Sequence, residues 1–413
     1  MTVDSGRLTR ELDELAAISA MPAPVVTRVV FTEADLRGRA FFKQLCRDAN
    51  LSIREDAAGN TFARWTGSDP SLPAVATGSH IDAIPNAGRY DGSVGVLGGL
   101  EAIRALQRSG YQPHRSIELI LFTSEEPTRF GIGCLGSRLM SGILDASSGD
   151  SLKDRDGLSL NHVRASAGFT GDLATVRLAA GTYTAFVELH IEQGPLLEQR
   201  GIDLGIVTAI AAPAGLKISI EGDGGHAGAV LMPARRDAFL AAAEIALAVE
   251  AAAKSSGSID TVGTVGVCEV FPGAVNSVPS RARLEVDFRD TDGARRDAAL
   301  ERLYSACDEI AQRRRVTIHR ELVNADPPAQ CGPELVTALQ QAAVALGASS
   351  QLMISRAYHD TLFMAKIAPA AMLFIPSRNG YSHRPDEYSS PESIAQGTAV
   401  LAETLKHLAR SGN

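Results

Sequence analysis

The chain has 413 residues, more than a single hydrophobic core usually holds, so two domains are expected. Its 45% hydrophobic and 21% charged content is that of an ordinary globular protein, and a net charge of −8 without any Lys/Arg block argues against a nucleic-acid surface. The longest apolar stretch, "FLAAAEIALAVEAAA" (239–253), contains Glu244 and Glu250 and is shorter than a bilayer span, so no membrane segment is expected.

Along the chain, the opening "MTVDSGRLTREL" lacks the apolar core of a signal peptide. The cysteines (Cys46, Cys134, Cys268, Cys307 and Cys331) show no CxxC spacing, so reduced thiols and a cytoplasmic location are expected. An apolar run, Leu72 to Thr77, stops just before His80, and "HIDAIPNAGRYDG" follows as a Pro/Gly-rich bend closing on Asp91. Next, "GSVGVLGGLEAIRALQRSG" (92–110) has Val94, Leu97, Leu100 and Ile103 at helical spacing and Gly110 as a stop. "SIELILFTSEE" (116–126) reads as a buried strand ending in two glutamates, and "TAFVELHIEQGP" (184–195) as a strand reaching His190. "AAMLFIPS" (370–377) is a further strand, with His383 soon after it. Alternating strands and helices predict an α/β layer structure, in which ligands gather at the carboxyl ends of strands.

Between about 212 and 325 the rhythm changes. Strands are predicted at 214–222, 260–271, 281–289 and 315–322, and helices at 234–254 and 294–313. That β-α-β-β-α-β order is the split βαβ, ferredoxin-like pattern. Within "RARLEVDFR", Leu284, Val286 and Phe288 alternate with Arg283, Glu285 and Asp287, as in a sheet with one buried face. The predicted organisation is a main domain over 1–211 and 328–413, interrupted by an inserted domain, 212–327.

Five residues are candidate metal ligands: His80, Asp91, Glu126, His190 and His383. Each except Asp91, which opens the helix, lies at or beyond a strand end. Imidazole and carboxylate together suit zinc, manganese, cobalt or nickel, and the lack of thiolates disfavours a structural zinc knot. Two cations held about 3.5–4 Å apart need a shared anion, which a bridging carboxylate supplies. Asp82 is placed to orient His80 from behind. Glu125 and Glu126 follow "IELILF" directly, where adjacent carboxylates repel unless a cation is near.

These stretches, "GSHIDAIPNAGRYDGSVGVLGGLEAI", "FTSEEPTRFGIGCLGSR", "ELHIEQGP", "GGHAGAVLMPARRDA" and "YSHRPDEYS", resemble the hydantoinase/carbamoylase amidohydrolases of the carboxypeptidase G/aminoacylase metallopeptidase clan. The likeness runs in order over nearly the whole chain. It implies a metallopeptidase-like catalytic domain with a mixed, mainly parallel sheet flanked by helices, and an inserted lid and dimerisation domain. It also implies two divalent metal ions per subunit, one held by His80, Asp91 and His190 and the other by Asp91, Glu126 and His383. Zinc or manganese is expected there, with cobalt or nickel as alternatives. Glu125 would be the general base, moving a proton from the attacking water to the departing nitrogen. His226 would stabilise the oxyanion, arriving from the neighbouring subunit of a homodimer formed through 212–327. Arg289 would clamp a substrate carboxylate, with Asn276 and Gln193 as further substrate contacts. The plainer readings are an ion pair of Arg289 with Glu285 or Asp287, and a turn role for Asn276. His359 and Asp360 resemble a supporting pair near the site. His114, His162, His319 and His407 lack acidic partners at useful spacing.

Having His190 where peptidase relatives carry an acidic ligand points to ureido substrates. "GGHAGAVLMPARRDA" (224–238), the segment 256–292 that follows it, and "SRAYHDTLFMAKI" resemble the plant-type ureidoglycolate amidohydrolases. Arg356 and Tyr358 there add polar reach towards a small hydroxylated acid. The expected substrate is therefore ureidoglycolate, cleaved at a C–N bond with release of ammonia. N-carbamoyl-L-amino acids stand second and allantoate third; an aminoacylase or dipeptidase, and a silent binding homologue, are more remote.

Overall fold

A computed structural model of the chain describes residues 2–410. The chain folds into two compact units, Met1–Thr208 with Gln330–Ser355 and His359–Asn413, and Ala209–Ala329 with Arg356–Tyr358. The insertion was expected at 212–327; the second unit also takes in Arg356–Tyr358, three residues flanked on both sides by the first.

The first unit is built on a nine-stranded sheet. Across it run Ala329–Gln330, Leu204–Ile210, Ala370–Ile375, Tyr183–Ile191, Ala74–Ser79, Ile117–Leu121, Thr61–Trp65 and Ser52–Glu55, with Ser350–Ser355 pairing Leu204–Ile210 off that path. The four central strands, from Ala370–Ile375 to Ile117–Leu121, are mutually parallel. Antiparallel strands flank them. These central strands are the continuous apolar runs of the sequence, as expected of parallel strands covered on both faces. All of Ala74–Ser79, Ile117–Leu121 and Ala370–Ile375 is buried.

The predicted helix at 92–110 is Ser93–Arg108. Beyond the spaced Val94, Leu97, Leu100 and Ile103, every residue from Ser93 to Leu106 is buried. It packs on the sheet and also on the helix Pro391–Leu408. Glycine permits the approach: a Cβ on Gly95 would lie 2.3 Å from the Leu189 carbonyl oxygen.

The second unit is a four-stranded antiparallel sheet in the order Val262–Phe271, Arg281–Asp290, Ala212–Glu221, Thr317–Ala325, with helices Ala238–Lys254 and Gly293–Arg314. This is the split βαβ arrangement. Leu284, Val286 and Phe288 join Leu216, Ile218 and Ile220 and the apolar faces of both helices in one core. The first helix begins at Ala238, later than the predicted 234, because the Asp237 carboxylate caps it by accepting from the main-chain N–H of Phe239 and Leu240. All five cysteines are unbridged, four buried and Cys268 exposed. Among the described residues no helix is long and apolar enough to cross a membrane.

Candidate metal centre

Strand register brings the first two histidines together. Thr77 pairs with Val187 in parallel, which sets His80, just past its strand, level with His190 near the end of the next. Their rings face one another at 6.0 Å. Each imidazole is oriented from behind through Nδ1: His80 to the Asp82 main-chain oxygen at 3.0 Å, His190 to that of Ile191 at 2.9 Å. That leaves Nε2 of both directed at Asp91.

Asp91 is held at the mouth of the Ser93–Arg108 helix by the tight turn at Gly92, whose φ is +62° and whose Cβ would strike the His80 ring. Its two oxygens serve different partners. Oδ1 lies 3.5 Å from His80 Nε2 and 3.2 Å from His190 Nε2; Oδ2 lies 3.4 Å from His383 Nε2. His383, held in the left-handed region with φ +59°, is in turn 3.4 Å from Glu126 Oε1. Two sets of donors result, His80/Asp91/His190 and Asp91/Glu126/His383, each within 4.8 Å of one another.

The donor set fits divalent cations. His80 Nε2 is buried without a hydrogen-bond partner, although buried polar atoms are nearly always satisfied. Charge points the same way. Burial opposes ionisation of His80, yet Glu125, Asp91 and Asp82 outweigh it and raise its pKa well above the ordinary value. Burial likewise tends to raise Asp91, but the facing imidazoles of His190, His383 and His80 hold it well below the usual carboxylate range. Glu126 is pushed up to about 7 by burial and then by the charge of Asp91. Such a carboxylate-rich, desolvated cluster favours positive charge at its centre.

Glu125 lies beside both sets, with Oε2 3.7 Å from His80 Nε2 and Oε1 3.5 Å from the Cys134 thiol. Burial raises its pKa well above the usual carboxylate value; His80 opposes this and Glu126 adds to it. The Glu125–Glu126 turn is held by Asp82, whose carboxylate accepts from the N–H of Glu125 at 3.2 Å and of Glu126 at 3.0 Å. Asp82 thus has two tasks: its main-chain oxygen orients His80, with its carboxylate 3.7 Å from the same Nδ1, and that carboxylate also anchors the glutamate turn.

His359 packs 4.5 Å from the His190 ring, with Nε2 3.2 Å from Ser355 Oγ. Asp360 accepts from Ser137 Oγ at 2.5 Å and is raised to about 8 by burial and then by Glu188. Glu188, His190 and His359 form a third set with metal-like spacing. Glu188 is already occupied there, accepting from Ser79 Oγ at 2.7 Å and from Thr361 N–H and Oγ1. That cluster therefore reads as hydrogen-bonded support for His190.

Gln193, expected to touch substrate, instead donates through Nε2 to Asp91 Oδ2 at 2.6 Å, while its Oε1 is buried without a partner. In the second unit, exposed His226 pairs across a two-stranded ladder with Ser277, next to Asn276, whose carbonyl accepts from Ala227 N–H at 2.8 Å. Arg289 realises the plainer reading: Nε and Nη2 meet the two Asp287 oxygens at 2.7 and 2.9 Å. Its Nη1 donates to the Arg356 carbonyl at 3.3 Å, and its guanidinium lies 5.5 Å from the Tyr358 ring. Arg356 is paired with Asp260. The bidentate edge of Arg289 is thus taken by its own neighbour on the strand, so a substrate carboxylate would have to compete with Asp287 or approach from Nη1.

Ser382 and Glu387 were missed by sequence reasoning. Both sit in the stretch "YSHRPDEYS", but nothing in that string separates buried Glu387 from exposed Asp386 beside it.

A family model described as Peptidase family M20/M25/M40 matches residues 76–407. The ureidoglycolate hydrolase of Arabidopsis thaliana is 54% identical over 415 residues, covering 99% of this chain and 87% of that protein. The N-carbamoyl-L-amino acid amidohydrolase of Geobacillus stearothermophilus is 37% identical over 409 residues, 99% of each. The crystal structure of AtUAH in complex with (S)-hydroxyglycine aligns with a TM-score of 0.91 at 53% identity, covering 99% of this chain and 98% of that one.

Proposed function

The chain belongs to peptidase family M20/M25/M40, and we propose that it hydrolyses ureidoglycolate at a centre for two divalent cations, zinc or manganese, shared through Asp91. The observation that carries this reading is the division of the Asp91 oxygens between two donor sets with Glu125 alongside. When bound, the cations would supply Lewis acidity, lowering the pKa of water towards neutrality and polarising the scissile carbonyl.

The residues of the chain do the rest. His80, His190, His383, Asp91 and Glu126 fix the position of positive charge. Glu125, in a desolvated pocket, accepts the proton of the attacking water and returns it to the departing nitrogen. Attack at the ureido carbon forms a C–O bond and breaks the C–N bond, expelling ammonia. The N-carboxy product then loses carbon dioxide to leave hydroxyglycine, so ureidoglycolate and water become hydroxyglycine, carbon dioxide and ammonia. Support for this substrate comes from the 54% identity to the Arabidopsis enzyme and from the hydroxyglycine complex of a relative.

In the same reading His226 stabilises the oxyanion, Arg289, Asn276, Arg356 and Tyr358 bind substrate, and the second unit serves as lid and homodimer contact, in a cytoplasmic protein. N-carbamoyl-L-amino acid hydrolysis is the second reading, favoured by full-length likeness to the Geobacillus enzyme. Ammonia release from ureidoglycolate, allantoate and a series of N-carbamoyl-L-amino acids, with metal analysis of the same preparation, decides between them. The highest kcat/KM is expected on ureidoglycolate; a higher value on any N-carbamoyl-amino acid would overturn the substrate assignment.

A further inference from the structure

Glu387 lies outside the ligand set, yet it grips the main chain of the shared aspartate and of the residue before it. Its Oε1 accepts from the main-chain N–H of Tyr90 at 2.7 Å and of Asp91 at 3.1 Å. Its Oε2 lies 3.0 Å from the hydroxyl of Ser382, the residue before His383. Ser382 Oγ is also 2.6 Å from Asp91 Oδ2. A serine hydroxyl has one proton, and the shorter separation assigns it to Asp91.

The backbone has been cleared for this carboxylate. A Cβ on Gly88 would lie 2.3 Å from Glu387 Cβ and 2.5 Å from its Oε1. The side chain is only 4% exposed, and a buried carboxylate is tolerated only where hydrogen bonds replace its water. Here those bonds come from the main-chain N–H of Tyr90 and of the aspartate itself, while the second carboxylate oxygen lies against the serine that donates to the aspartate.

We propose that Glu387, acting with Ser382, is the positioning residue for Asp91: it sets the aspartate so that one oxygen faces each donor set, and it locks the His383 loop to the Asp91 loop. This deepens the reading of Asp91 as the shared ligand and rests on it. One aspartate serves both positions, so displacing it weakens both ions together, whereas losing His383 weakens one.

The test compares wild type with Glu387→Ala, Glu387→Gln, Gly88→Ala and His383→Ala. Zinc or manganese per chain is measured against a competing chelator, and amide exchange at Tyr90 and Asp91 is measured on metal-free protein. Glu387→Ala is expected to lose about 10–100-fold in affinity at both positions at once, with faster exchange at both amides. Gly88→Ala, which displaces the carboxylate without removing it, should do the same. Glu387→Gln keeps an oxygen for the two N–H groups and offers an N–H to Ser382, so it should stay within about threefold of wild type. His383→Ala should retain one ion and normal exchange. Two ions bound by Glu387→Ala as tightly as by wild type would overturn the proposal, as would lost affinity with unchanged exchange. Should wild type itself bind no ion, the metal reading fails separately, and faster exchange in Glu387→Ala would still show that Glu387 holds the loop.

Discussion

In the proposed reaction Asp91 and Glu125 divide the chemistry between them, one fixing charge and the other moving a proton. Replacing Glu125 by Gln keeps the shape of the side chain and removes the proton acceptor. Turnover should fall about 10²–10⁴-fold while metal content stays at the wild-type level; loss of metal together with activity would instead make Glu125 a ligand. His383 gives a pH-dependent signal. Its hydrogen bond to Asp91 raises its pKa to about 9 against some opposition from burial, with Glu126 adding to the rise. In metal-free protein this imidazolium contributes stability that is full below the unfolded value of about 6.5 and is lost as pH rises through about 9. A cation must displace that proton, so binding near pH 7.5 should release one from His383. Calorimetry in buffers of different ionisation enthalpy would report it, and a buffer-independent heat would contradict the assignment. The candidate ligand types were legible in the sequence because His80, Glu126 and His190 lie at the ends of apolar runs and His383 follows another within a few residues. The work of Asp82 was not, since main-chain and carboxylate oxygens of one residue look alike in a string of letters. Nor was the pairing of Arg289 with Asp287, which competes on equal terms with Glu285 until the strand is built.

At the level of elements, the centre depends on how closely one helix approaches the sheet. Gly95, Gly98 and Gly99 meet Leu189, Ser79, Thr398, Leu119 and Thr77 at distances that leave no room for a side chain at Gly95. Gly95→Ala should therefore push helix and strands apart, at a cost of about 1–3 kcal/mol, and weaken metal retention, because Asp91 rides on the helix while His80 and His190 ride on the strands. Denaturant midpoints with and without metal would check both parts; a variant as stable and as metal-replete as wild type would show that the helix tolerates displacement. The sequence revealed this helix through its spacing of Val94, Leu97, Leu100 and Ile103. Burial of the opposite face was not apparent, because it comes from Pro391–Leu408, nearly three hundred residues later.

For the whole molecule, all candidate metal sets among the described residues lie in the first unit. Metal at 100 times its Kd should stabilise that unit by about 2.7 kcal/mol, slowing exchange along the strands that end at His80 and His190, and leave the strands of the second unit unchanged. Conversely, Phe288→Ala, a deletion in the second core, should cost about 3–5 kcal/mol there, read as faster exchange in Arg281–Asp290 without loss of bound metal. The two-unit organisation was visible in the switch from apolar runs to alternating strands. The membership of Arg356–Tyr358 was not, for three residues carry no compositional mark. These residues nonetheless bring the Arg356 carbonyl and the Tyr358 ring to Arg289, and the Arg356 guanidinium to Asp260. Anyone transplanting the smaller unit between relatives must therefore move two pieces of gene, a long block and a distant tripeptide. A chimera made from the block alone would ask an arginine from one parent to stack on an aromatic chosen by the other.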